Sequence, residues 1–217
     1  LSQYQKLLDH KTRILRDWEK NPSLLEVLED FNEAMARAGA LVIHYRAHFI
    51  RRLQEVVPPI HSDFSGGRER LEITYQTVSS VTDPAAEVEV LTEQLRAHME
   101  SHQGAERASR MCLSGPHKDD LVITIDGREA KSYSSQGQTR TAALALKLAE
   151  REIYQNATGE YPVLLLDDVL SELDPRRQEF VLNRIAGGQV FITCCEDDRL
   201  PVLLGGKVFH VKQGAIG

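Results

Sequence analysis

Two adjacent carboxylates, Asp167 and Asp168, end the apolar run in YPVLLLDDVLSELD (161–174), and Glu172 and Asp174 add two more acids just beyond. A run of Val and Leu without polar alternation is expected in the middle of a parallel sheet, and residues at the carboxyl end of such a strand face the crevice where these folds bind ligands. Paired carboxylates there can hold a hard cation and direct a water. The plainer alternative is a strand that leaves the core and caps itself with solvated acids. Upstream, Ser134, Ser135, Gln136, Gly137 and Gln138 stand at the start of a helical pattern. A hydroxyl at Ser135 and backbone N–H groups at Gly137 would lie at the positive end of that helix and suit an anion. A serine N-cap is the simpler reading of the same residues.

An apolar strand ending in two aspartates has the form of the second nucleotide motif of P-loop ATPases. In that motif the first carboxylate holds Mg²⁺, usually through a water, and the next can orient the attacking water and accept its proton during in-line attack on a γ-phosphate.

These residues need elements to position them. The spacing predicts strands at LVITID (121–126), PVLLLD (162–167) and QVFIT (189–193), with helices at TAALALKLAEREIYQ (141–155) and PRRQEFVLNRI (175–185). Strands alternating with helices imply an α/β lobe with a largely parallel sheet. The first half is mainly helical. Tyr4, Leu7, Leu8, Leu15 and Trp18 recur at helical spacing before Asn21-Pro22. A long stripe from Leu24 to Val56 follows, which is expected to stop at Pro58-Pro59 and reads as an arm. LEITYQTV (71–78) alternates like a strand, and a helix from about Pro84 carries Val88, Leu91, Leu95 and Met99. The expected division is a helical arm domain over 1–108 and an α/β lobe over 109–217.

The 217 residues, 41% hydrophobic, suffice for a real core, and the net charge of −6 argues against a generally basic nucleic-acid coat while allowing a local patch. Cys112, Cys194 and Cys195 form neither a disulfide framework nor a metal-ligand spacing. No apolar run is long enough for a membrane span and no charged-then-apolar leader opens the chain, so a cytoplasmic protein without a membrane partner is expected. Arg46, Arg51 and Arg52 lie along HYRAHFIRRLQ (44–54) as a candidate phosphate-backbone contact, diluted by Glu55 and by acids earlier on the same helix. His117 in GPHKDD has no second His or Cys at metal spacing and reads as a turn that lines a nucleotide site.

SSQGQTRTAALALKLAE, PVLLLDDVLSELD and the preceding LSGPHKDDL together resemble the bacterial RecF family of recombination-repair ATPases, whose head belongs to the ABC class shared with SMC proteins. The likeness is close over about 112–185 and compatible, though weaker, over the helical half. It implies that Ser134 to Gln138 form the ABC signature, which reaches across a dimer to the γ-phosphate of ATP bound by the other subunit. It implies Asp167 as the Mg²⁺ carboxylate, Asp168 as general base, and Ser171, Glu172, Leu173 and Asp174 as the D-loop at the dimer seam. It further implies an ATP-dependent homodimer that clamps duplex DNA near single-strand gaps and works with RecO and RecR to load RecA.

Two features depart from that pattern. VFITCCEDD (190–198) offers Thr193 and Cys194 where such heads carry a histidine. No G-x-x-x-x-G-K-[ST] occurs either: the one Gly-Lys pair, Gly206-Lys207, has Pro201 at the first glycine position and Val208 at the hydroxyl position. With Leu1 as first residue, the chain is expected to be a C-terminal part of such a protein, inactive alone as an ATPase. Two alternatives are the nucleotide-binding subunit of a membrane transporter and a structural SMC-like protein. SSQGQ in place of a glycine-rich signature and the long helical half weigh against the first; the prolines at 22, 58 and 59, which deny the arm sustained heptads, weigh against the second.

Overall fold

A computed structural model of the chain describes residues 1–170, 173–194 and 206–216. The Cα positions group into two compact units, 1–55 with 71–134, and 56–70 with 135–217. The boundary expected at residue 108 does not coincide with this grouping, because the strand expected at 121–126 pairs with the strand at 71–76.

The first unit holds α1 (Ser2–Asp17), most of α2 (Leu28–Ser65), β1 (Leu71–Gln76), α3 (Val88–Ser109), β2 (Asp120–Ile125), β3 (Arg128–Glu129) and the short α4 (Ala130–Tyr133). The apolar stripes read from the sequence converge here: Tyr4 from α1, Met35, Ala36, Ala40 and Ile43 from α2, and Leu91, Leu95 and Met99 from α3 form one core with Val78. β1 and β2 run antiparallel with Ile73 opposite Ile123, and β3 returns beside β2. The sheet built by β2 is thus antiparallel.

α2 is 38 residues long and passes through Pro58 and Pro59, where the sequence pattern predicts a stop. Each proline removes an N–H that would bond a carbonyl four residues back. Those carbonyls belong to Gln54 and Glu55, which are exposed, so water can satisfy them. The apolar stripe meanwhile continues through buried Val57, Ile60 and Phe64, and burial holds the helix together where propensity would end it.

The second unit contains the last turns of α2, then α5 (Gln136–Thr158), β4 (Leu164–Asp167), α6 (Pro175–Arg184), β5 (Val190–Thr193), and the small antiparallel pair β6 (Val211–Lys212) and β7 (Ala215–Ile216). β4 and β5 are parallel with α6 between them in sequence, the βαβ order expected of an α/β lobe. β4 is not buried on both faces as its composition suggests. Leu164 and Leu166 are buried, whereas Leu165 is 70% exposed and Phe191 of β5 is 52% exposed. Among the described residues this sheet has one covered face. Arg151, buried in α5, donates to the carbonyls of Arg184, Ile185 and Gly187 and lies over the Tyr161 ring, fixing the turn that leads into β5. Among the described residues no helix is long and apolar enough to cross a membrane.

Candidate functional site

Parallel pairing of β4 with β5 sets Asp167 opposite Thr193 at the carboxyl end of both strands. The Thr193 hydroxyl donates to Asp167 Oδ1 at 2.5 Å. The backbone N–H of Asp168 donates to the Thr193 carbonyl at 3.1 Å and to its hydroxyl at 3.0 Å. One threonine therefore holds both acidic residues. Asp168 has φ of 52°, a left-handed conformation that Asp tolerates better than most non-glycine residues, and it turns the chain out of the strand so that the two carboxylates are not presented as alternating strand side chains. Both aspartates are exposed. An exposed carboxylate whose one oxygen is already oriented suits a hard cation reached through water, so Asp167 fits Mg²⁺. In the sequence Thr193 stands out only, with Cys194, as occupying the place where a histidine is expected. Counting both strands back from their ends would have set it opposite Asp167.

α5 begins with a capping box. Ser135 Oγ accepts the Gln138 N–H at 3.2 Å, and Gln138 Oε1 accepts the Ser135 N–H at 3.0 Å. Ser135, Gln136 and Gly137 are exposed, and Ser134 and Gln138 are half-buried. Gly137 has a helical, not left-handed, backbone, and a methyl added there would meet only an Arg177 nitrogen at 4.0 Å. Glycine is a weak helix former, and it leaves the backbone of this first turn uncovered. No packing among the described residues requires a glycine there, so the bare backbone suits close approach by a ligand.

Ser171 and Glu172 lie outside the described residues. Leu173 is buried, and Asp174 caps α6 by accepting the Arg177 N–H at 3.0 Å, with its other oxygen 3.5 Å from Arg177 Nε. Asp174 thereby carries a structural task in addition to any role at a seam.

Most residues of LSGPHKDD are drawn inward, Lys118 and Asp120 excepted. His117 Nε2 lies 3.1 Å from the Cys112 carbonyl, which can only accept, so the ring carries its hydrogen on Nε2 and its Nδ1 accepts the Tyr4 hydroxyl at 2.7 Å. Burial lowers the His117 pKa and raises that of Tyr4. Ser114 bonds His98 Nδ1 at 2.7 Å, and burial followed by the neighbouring His102 lowers the His98 pKa. Asp119, its side chain almost wholly buried, accepts from Arg46 at 2.9 Å and from the Tyr75 hydroxyl. Arg46 also donates to the Pro116 carbonyl at 2.6 Å. Its guanidinium is engaged inside the first unit, unlike those of its two proposed companions: Arg51 faces Asp83 at 3.7 Å with both side chains exposed, and Arg52 is exposed. His117 is a braced turn residue in this unit.

No family model matches the chain. Its full length is 37% identical over 218 residues to the DNA replication and repair protein RecF of Alkaliphilus oremlandii, covering 59% of that protein. It is 38% identical over 223 residues to the protein of the same name from Agathobacter rectalis, covering 57% of it. A solved structure of the recombination mediator protein RecF-ATPrS in the RecFOR pathway superposes with a TM-score of 0.86 at 34% identity, over all of this chain and 57% of that one. A RecF-ATP structure gives 0.84 over the same shares. The chain spans less than three fifths of the length of the relatives it matches.

Proposed function

We propose that this chain, which belongs to the RecF family, contributes the signature and the acidic strand end of an ATP-dependent DNA-repair head. The observation that carries this reading is the exposed first turn of α5, capped by Ser135 and left bare at Gly137. Ser134 to Gln138 would present hydroxyl and backbone N–H groups to the γ-phosphate of ATP held by a second copy. Asp167 would hold Mg²⁺ through water. Mg²⁺ bound there supplies charge neutralisation on the phosphates. Asp168 would orient the attacking water and take its proton. Ser171 to Asp174 would meet the second copy at the seam.

The chain contains no G-x-x-x-x-G-K-[ST], so the lysine and amides that cradle phosphates have to come from elsewhere, and the chain alone should release no phosphate from ATP. In the complete protein we assign ATP-driven dimerisation to clamping of duplex DNA near gaps. RecO and RecR are the proposed partners and RecA loading the outcome, in the cytoplasm. Arg51 and Arg52 are better placed than Arg46 for phosphate contact, because Arg46 neutralises Asp119.

Ser135→Arg in the complete protein tests the reading. Each monomer should still fold and bind ATP, and light scattering should show that ATP no longer drives dimerisation. A variant that loses about 1 kcal/mol of stability, as a lost cap would, yet still dimerises with ATP would reduce Ser135 to a helix cap.

A further inference from the structure

The capping box of α5 is tied to a buried group. Gln138 uses its Oε1 to accept from Ser135, and its Nε2 donates to Glu69 Oε1 at 3.1 Å. These two bonds fix the orientation of the amide, since turning it over would set a nitrogen against the Ser135 N–H and an oxygen against a carboxylate. The other Glu69 oxygen lies 3.5 Å from Nε2 of His61, whose side chain is fully buried while that of Glu69 is 19% exposed. Glu69 stands just after the end of α2, beyond the Gly66-Gly67 turn, and Gly66 and Gly67 both have positive φ. A route of named polar contacts thus runs from the interior, through His61 and Glu69, to the exposed first turn of α5.

A cap at a solvated helix end needs no such anchor. Ser135 alone satisfies the Gln138 N–H, and water can serve the Ser135 N–H. What the anchor adds is a fixed position: a glutamine side chain otherwise free to sample several rotamers is held in one, and with it the Ser135 backbone. We propose that Glu69 is a positioning residue for the signature turn, its carboxylate standing beside His61 and fixing the Gln138 side chain that closes the capping box with Ser135. This rests on the functional reading above only in what the positioned turn is for; the positioning itself is a property of this chain.

The two parts are tested separately. In this chain, amide hydrogen exchange is compared for the parent, Glu69→Gln and Glu69→Leu, with Gln138→Ala covering the case in which Glu69→Leu does not fold. Glu69→Leu and Gln138→Ala should each speed exchange of the Ser135 amide about tenfold while α5 beyond its first turn keeps its protection. Glu69→Gln, which keeps an oxygen for Gln138, should restore much of it. In the complete protein, Glu69→Leu should raise the ATP concentration needed for half-maximal dimerisation about tenfold, with Glu69→Gln again intermediate. Unchanged exchange at Ser135 in Glu69→Leu, or in Gln138→Ala where Glu69→Leu does not fold, overturns the positioning role whatever assembly does. Faster exchange with assembly unchanged, while Ser135→Arg still blocks it, overturns the link from positioning to assembly and leaves the signature reading standing. If Ser135→Arg also dimerises, the signature reading falls and with it the purpose assigned to Glu69.

Discussion

The loop at 112–119 and the paired turns at 134–138 and 167–168 are all rich in polar residues, yet they are built in opposite ways. Around the loop, Tyr4, His98, Ser114, His117 and Asp119 take partners within the first unit, and Lys11 pairs with Glu106 at 2.7 Å with both side chains fully buried. In the second unit Ser135, Gly137, Asp167 and Asp168 remain exposed, and Asp168 accepts a left-handed backbone. The contrast separates two uses of polar residues. Satisfied and buried, they brace a fold; exposed, oriented and held by a neighbour such as Thr193 or Gln138, they are available to a ligand.

The contrast makes substitutions in the loop region expensive in stability and those at the exposed turns cheap. Lys11→Met should have the largest effect, because it leaves the Glu106 carboxylate buried without its cation, a loss of about 3–5 kcal/mol measurable by urea titration. A loss under about 1 kcal/mol would mean that the pair does not brace the first unit. Gly115→Ala comes next. Gly115 has φ of 129°, and an added methyl would overlap the Tyr4 hydroxyl, so a cost of about 2 kcal/mol is expected. Tyr4→Phe in the same background should recover part of that loss in thermal melts by removing the clash.

Acidification should have a smaller, graded effect. Burial lowers the pKa of both His98 and His117, so each is neutral in the folded chain and takes up a proton more readily when unfolded. Their contribution to stability is complete above the ordinary histidine pKa of about 6.5 and is lost as pH falls from there through the folded values. Urea titrations between pH 7.5 and 5 should follow that slope, and the slope should flatten in His117→Gln. A slope unchanged by that substitution would place the acid sensitivity elsewhere. Asp168→Asn should have the smallest effect on stability, within about 0.5 kcal/mol, because asparagine also tolerates the left-handed backbone. In the complete protein the same variant should still bind ATP and dimerise while its turnover falls about a hundredfold. Turnover within tenfold of the parent would remove Asp168 from the role of base.

Much of this was legible from residue types. Tyr4, Leu91, Leu95 and Met99 sit in the core their spacing implies, and the Ser135 cap and the parallel pairing of the two apolar strands were both expected. The end of α2 was not, because Pro58 and Pro59 cost hydrogen bonds only on a face where water replaces them, and sequence does not say which face that is. The pairing of 121–126 was not legible either: a strand pattern states that a segment is extended and leaves its partner open. Thr193 and Glu69 carry no motif. Each matters through one contact to a residue far away in the chain, Asp167 for the first and Gln138 for the second.

The sequence by itself determined the element types, the capped start of α5, the apolar strand ending in two aspartates, and a resemblance to the RecF family, because these depend on periodicity and on residues close together in the chain. Only the tertiary structure decided which polar residues are available. Arg46 and His117 stand among the candidates in the sequence beside Asp167, but Arg46 is drawn to Asp119 and His117 is closed between Tyr4 and Cys112. Availability depends on what stands opposite a side chain after folding. A burial penalty that must be met by a partner assigns some polar groups to the interior, and register and turn geometry leave the others facing water.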